Sequence, residues 1–203
     1  MFKRRLTIWR IKQFIRQVYR DINGFLLAKE NDKHTQPEFT YGEICFHSFL
    51  TVLDQFNLTE NSIFCDIGSG TGKNVLIAGL YTNAKSVVGI ELLNELFEAS
   101  QTALGKLHDN PKLLKLKNNT EISFKHQDFL TFDFQTPNCF FINATAFISP
   151  FWEKLSAKFE AITPGSLVCL VSRPLERDDF ELVYSKLLLM TWGFANVFIY
   201  RKI

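Results

Sequence analysis

The segment Asp66-Ile67-Gly68-Ser69-Gly70-Thr71-Gly72 places glycine at three alternate positions, directly behind the apolar run Ser62 to Ile67 and ahead of a helical pattern from Lys73 to Tyr81. A strand that ends in such a turn and re-enters a helix is half of a βαβ unit. Glycine reaches the positive φ values of a tight reversal and leaves the backbone open to a close ligand. The flanking sequence keeps the alternation. Ser86 to Ile90 reads as a second strand, Asn94 to Leu107 as a helix, and Glu121 to Lys125 and Cys139 to Ile142 as further strands. Phe151 to Phe159 reads as a helix after Pro150, and Ser166 to Val171 as a strand after the turn Pro164-Gly165. Upstream, residues 41–56 carry Ile44, Phe49, Leu50, Leu53 and Phe56 at helical spacing. Phe180 to Met190 and Ala195 to Arg201 flank Trp192-Gly193 as a closing antiparallel hairpin. The expected fold is α/β: a doubly wound, mostly parallel Rossmann-like sheet with a C-terminal antiparallel hairpin. Its ligand belongs at the carboxyl ends of the first strands.

A chain of 203 residues that is 46% apolar suits one catalytic-sized domain. No stretch approaches the roughly 18 apolar residues of a membrane span, and no apolar core follows the basic start as in a secretory signal. The four cysteines (Cys45, Cys65, Cys139, Cys169) lie far apart with no histidine at ligand spacing, so neither a disulfide scaffold nor a metal site is expected. A soluble intracellular protein, cytoplasmic in the first instance, is the expectation. Charge is informative in its distribution. Residues 1–20 hold seven basic side chains and no acidic one, which leaves 16 basic against 21 acidic, net −5, for residues 21–203. The division read from sequence is therefore 1–38, a basic amphipathic helix (Leu6, Trp9, Phe14, Val18) with a polar linker, and 39–203, the catalytic domain. The basic helix suits an anionic partner, nucleic acid or a membrane surface, or an organelle transit segment, or else it packs on its own domain and keeps a solvated basic face. Its removal is expected to lower turnover of a macromolecular substrate and to spare small-ligand binding.

The charge of the turn selects its ligand. A phosphate-cradling loop, Gly-x-x-x-x-Gly-Lys-Ser/Thr, fails because Gly72-Lys73 is followed by Asn74 and the position five before Gly72 is Ile67. A dinucleotide fingerprint needs glycine where Lys73 stands, and Asp66 would face a pyrophosphate. An acid two residues ahead of the glycines instead suits a ligand with an ammonium, a sulfonium and no phosphate, which is S-adenosylmethionine.

These residues resemble the class I S-adenosylmethionine-dependent methyltransferases, over about Thr40 to Val171. Glu91, ending Val87-Val88-Gly89-Ile90-Glu91, is placed for the ribose diol, since one carboxylate can accept two hydrogen bonds. Asp128-Phe129 resembles the adenine site, the acid accepting the exocyclic amine and the ring lying on the base. A narrower resemblance is to the histone-lysine methyltransferases of the disruptor-of-telomeric-silencing type. It rests on Thr40-Tyr41-Gly42-Glu43, Asp66 to Gly70, Gln127-Asp128-Phe129-Leu130 and Ile142-Asn143-Ala144-Thr145-Ala146-Phe147. That resemblance implies cofactor contacts from Tyr41, Glu43, Asp66, Gly68, Ser69, Gly70, Gly72, Glu91, Asp128, Phe129 and Asn143. Asn143 orients groups near the transferred methyl and Tyr41 covers the cofactor; no metal is implied. The acceptor is a protein lysine, on a histone or another protein. Ala144 and Thr145 depart from the family pattern of a second Asn and a Phe, and Lys73 replaces an uncharged polar residue. Other acceptors fit less well, because Asn143 lacks the two following prolines of adenine and glutamine amino-methyltransferases and Cys139 does not follow a proline. A class I enzyme for RNA or a small molecule, or a non-catalytic module docking through its basic helix, is the alternative.

Overall fold

The computed structural model describes residues 2–31, 35–36, 39–117 and 119–203; the side chains of Phe2 and Lys3 and most of the expected linker lie outside the described residues. Short apolar runs form the central parallel strands, buried on both faces, while the edge strand Glu121–His126 buries only Phe124. The parallel strands are β1 (Ile63–Ile67), β2 (Ser86–Glu91), β3 (Glu121–His126), β4 (Cys139–Ile142) and β5 (Leu167–Val171), followed by the long β6 (Phe180–Met190) and β7 (Gly193–Lys202). The sheet has seven strands in the order β3-β2-β1-β4-β5-β7-β6. β1 to β5 run parallel, and β7 lies antiparallel between β5 and β6. The chain steps outward from β1 to β3 and then returns to place β4 against the other side of β1, where Asp66 sits opposite Gly89 and Phe141. That reversal of strand order opens a crevice beyond the carboxyl ends of β1, β2 and β4.

Two aromatic-rich cores sandwich the sheet. On one face lie α1 (Phe2–Val18), α3 (Phe46–Phe56), α4 (Lys73–Tyr81) and α5 (Asn94–His108), with Phe49, Phe64 and Phe141 fully or nearly fully buried among them. On the other, α7 (Phe151–Lys158) buries Leu155 against Phe134, Phe140 and Phe159. Two short helices are absent from the sequence reading. α2 (Gly24–Glu30) is started by Asn23, whose side chain accepts the N–H groups of Phe25 and Leu26. α6 (Pro111–Leu114), within the polar connection, is capped by Asn110 with proline at its start.

One expectation changes. The helix read over residues 41–56 begins only at Phe46; Ile44 pairs with Met190 of β6 and Cys45 N–H donates to Leu189 O at 3.1 Å. Tertiary pairing with a strand far along the chain overrides the local period. The helix α1 follows the packed one of its alternatives, with its basic face left to solvent. Its inward face is Ile11, Phe14, Ile15 and Val18, packed in the same core cluster as α3 and α4, whereas Leu6 and Trp9 point outward. The boundary at residues 38 and 39 is one of composition, not of packing. No helix among the described residues is long and apolar enough to cross a membrane.

Candidate functional site

The glycine turn is tied to β2 before any ligand enters. Gly68 and Ser69 donate their N–H groups to Ile90 O at 2.9 and 3.0 Å. Gly70 N–H donates to Glu91 Oε2, and Leu93 N–H to Glu91 Oε1, both at 2.8 Å. Each oxygen of Glu91 keeps a further acceptor site, so the carboxylate is fixed and still able to take a diol. Burial raises its carboxyl above the ordinary range, and the backbone N–H groups of Leu93, Gly70 and Leu92 oppose the rise. Gly68, at φ 72°, has nothing within 4 Å of where a side chain would begin, so the cleft reaches its backbone. Gly70, at φ 55°, lies beneath the ring of Tyr41, 2.7 Å from where its Cβ would stand. A Gly70→Ala chain is therefore expected to lose about 2 to 4 kcal/mol, from the left-handed conformation and the displaced ring together, as a lowered denaturant midpoint.

Asp66 is the least compensated group here. It is 2% exposed, with one oxygen, Oδ2, that has no hydrogen-bond partner. Burial raises its carboxyl well above the ordinary range, a hydrogen bond from Asn74 opposes the rise and the charge of Glu91 adds to it. The buried Ser69 Oγ is likewise unpartnered. Orphaned polar atoms lining a crevice mark a place where a ligand completes the hydrogen bonding, and two neighbouring carboxyls ask that it be cationic.

A strap, residues 40–45, roofs the cleft. The turn of the β6–β7 hairpin grips it: Thr191 N–H donates to Glu43 O at 2.9 Å and Glu43 N–H to Thr191 Oγ1 at 3.2 Å. Trp192 lies so close over Gly42 that a Cβ there would stand 2.4 Å from its ring. From the other side Asn143, just past β4, donates Nδ2–H to Gly42 O at 3.1 Å, while its Oδ1 accepts from the Thr145 hydroxyl at 2.8 Å. Tyr41 OH donates to Glu43 and lies 3.1 Å from Thr71 Oγ1. Lys73 forms an ion pair with the other oxygen of Glu43, and its ammonium lies 4.9 Å from the ring centroid of Tyr19, whose hydroxyl donates to Thr71 O at 2.9 Å. Tyr19, the residue just past α1, thus braces the glycine turn, a link with no signal in sequence spacing.

The apolar end of the cleft is a cluster of three rings. Phe129 lies 6.2 Å from Phe147 and 5.2 Å from Phe151, and the last two are 4.9 Å apart edge to face. Counting its open mouth, the cleft encloses about 950 Å³ of space not filled by protein atoms. Its walls include Tyr41, Glu43, Asp66, Gly68, Ser69, Gly70, Glu91, Phe129 and Asn143, together with Phe147 and Phe151. Asn74 and Gln127 line it as well and were not singled out from sequence. Two sequence-derived candidates, Gly72 and Asp128, lie off the wall. Gly72, at φ 80°, caps α4 and makes room for Phe124. Asp128 Oδ1 accepts Leu130 N–H at 2.9 Å and so starts the 3₁₀ turn Phe129–Thr131 that presents Phe129. Trp152 stands edge to face with Phe159 and under Arg173. Among the described residues no cluster of three or more metal-ligating side chains occurs, and all four cysteines are free.

With that geometry in hand, comparison with known proteins is decisive on one point. The model of the family described as histone methylation protein DOT1 matches residues 28–187. The chain belongs to the DOT1 family. A histone-lysine N-methyltransferase of Caenorhabditis elegans, H3 lysine-79 specific, is 38% identical over 53 residues, 26% of this chain and 6% of that protein. An rRNA adenine N-6-methyltransferase of Escherichia coli is 36% identical over 83 residues, 41% of this chain and 28% of that protein. The DOT1-family chain thus spans less than a third of either relative. Among solved structures, magnesium protoporphyrin IX methyltransferase from Synechocystis, with its cofactor bound, superposes with a TM-score of 0.59 at 13% identity, covering 94% of this chain and 90% of that one. That likeness establishes the fold of this DOT1-family member as the methyltransferase sheet.

Proposed function

We propose that this chain is an S-adenosylmethionine-dependent methyltransferase whose acceptor is the amine of a protein lysine, on a histone or a protein presenting lysine in the same way. The observation that carries the reading is the buried carboxyl of Asp66, one oxygen unpartnered, beside the fixed carboxylate of Glu91 in a cleft of a DOT1-family fold. Two acids held out of water favour a ligand that brings positive charge. When bound, S-adenosylmethionine supplies a methyl group made electrophilic by its sulfonium. Glu91 is then the acceptor for the ribose hydroxyls, Asp66 and Ser69 the partners of the amino-acid end, and Phe129 the surface for the adenine face. Tyr41 closes the roof above Gly70.

The remaining chemistry is positioning and deprotonation. A lysine of reference pKa about 10.4 costs about 4.6 kcal/mol to present neutral at pH 7. The apolar wall of Phe147 and Phe151 lowers that cost by disfavouring the ammonium. Direct displacement needs no covalent intermediate, so alignment supplies most of the acceleration, up to about 7 to 11 kcal/mol. Asn143 serves alignment through both ends of its amide, one on the strap and one on Thr145.

Transfer of labelled methyl to nucleosomes, free histones, total RNA and soluble protein tests the reading. Label is expected on protein, resistant to nuclease. Label confined to RNA replaces the lysine acceptor with a nucleic-acid one. In the same assay Asn143→Ala is expected to lower turnover about 100-fold, the cost of a misplacement near 1 Å, with cofactor affinity changed far less. Equal losses in both would make Asn143 a support of the cleft and no more.

A further inference from the structure

The outward face of α1 is unused by the fold and by the cleft. Along it run Arg5, Trp9 and Arg16, with Leu6 and Gln13 on one flank and Arg10 beyond, all exposed. Residues spaced three, four and seven apart share a helix face, so Trp9 sits at the crest with Arg5 and Leu6 before it and Gln13 and Arg16 after it. Trp9 is 57% exposed and Leu6 40%. Two other cations of the helix are engaged: Arg4 with Asp54 and Tyr81, and Lys12 with His47. Arg5, Arg10 and Arg16 form no ion pair among the described residues. Arg5 and Arg16, eleven residues apart, span about 16 Å of a straight surface.

From this geometry we propose that α1 docks the protein flat on an anionic lipid surface, its arginines among the headgroup phosphates and Trp9 and Leu6 inserted at the headgroup boundary. Charge complementarity supplies the anion, since residues 1–20 carry seven basic side chains and no acid. The apolar pair distinguishes the lipid. Tryptophan and leucine gain by entering a membrane interface, and arginine stems reach past them to phosphate. A nucleic acid would take the arginines and leave Leu6 in water. The net −5 of residues 21–203 also gives an extended polyanion no continuation beyond one helix.

The test uses the full chain and flotation with vesicles of phosphatidylcholine, with and without phosphatidylglycerol. Binding is expected only to the anionic vesicles and to fall with added salt. The triple variant Arg5→Gln, Arg10→Gln, Arg16→Gln should bind about 100-fold more weakly, about fivefold for each arginine near an anionic leaflet. Trp9→Ala should bind several-fold more weakly and lose the blue shift of tryptophan fluorescence on vesicle addition, although Trp152 and Trp192 remain. All four positions are on the solvent side, so circular dichroism should be unchanged. No retention on anionic vesicles overturns the proposal, as does binding indifferent to these substitutions. A duplex or single-stranded oligonucleotide that displaces the protein from vesicles at equal phosphate overturns it in favour of a nucleic acid.

Discussion

Replacing Asp66 by Asn should weaken S-adenosylmethionine binding by about 10- to 150-fold, the loss of one charge-assisted hydrogen bond, while the ligand-free protein stays as stable or becomes more so. The two effects diverge because the carboxyl serves a ligand at the expense of the fold. Its Oδ2 is buried without a partner, and burial raises its carboxyl well above the usual value. In the window between the ordinary and the raised value the native chain holds a proton that the unfolded chain has lost. The contribution of Asp66 to stability is therefore fully present below the ordinary carboxylate range and is lost as pH rises through that window. The asparagine variant lacks this decline. Affinity for a cationic ligand runs the opposite way, rising with pH as Asp66 and Glu91 ionise. Calorimetric titration and denaturant midpoints at several pH values measure both; parallel losses of stability and affinity would reduce Asp66 to a prop of the turn.

Deleting residues 1–20 should leave a chain that does not fold, instead of a catalytic domain without its arm. Ile11, Phe14, Ile15 and Val18 are each no more than 6% exposed in the main core. At about 1.5 to 3 kcal/mol each their burial contributes about 6 to 12 kcal/mol, comparable with the whole stability of a domain, about 5 to 15 kcal/mol. Phe14→Ala alone should cost about 3 to 5 kcal/mol. Far-ultraviolet circular dichroism of the truncated chain settles the matter. A native spectrum with intact ligand binding would return α1 to an appended arm.

The central strands were legible because each is a short apolar run bounded by breakers, and Cys139–Ile142 and the start of β6 fall where the sequence places them. The turn at Asp66 to Gly72 was legible because three glycines and an acid behind a buried strand have few other uses. What escaped depends on partners distant in sequence. Tyr41 to Ile44 share the period of the helix that follows, and only Met190 and Thr191, almost 150 residues away, make them a strap. Leu6 and Trp9 are apolar at helical spacing, yet the inward stripe is turned to Ile11 and Ile15 by contact with α4. Gly72 and Asp128 belong to the motifs by position, but their geometry makes room for Phe124 and orients Phe129. Sequence order does not separate a residue that touches a ligand from one that presents its neighbour.

The bond from Tyr19 to Thr71 gives the end of α1 a share in events at the cleft. Thermodynamic linkage is reciprocal: whatever holds the glycine turn more firmly holds that end of the helix by the same free energy. Amide hydrogen exchange in the last turn of α1 is thus a reporter of cleft occupancy read from outside the cleft, with no probe placed in the cleft itself.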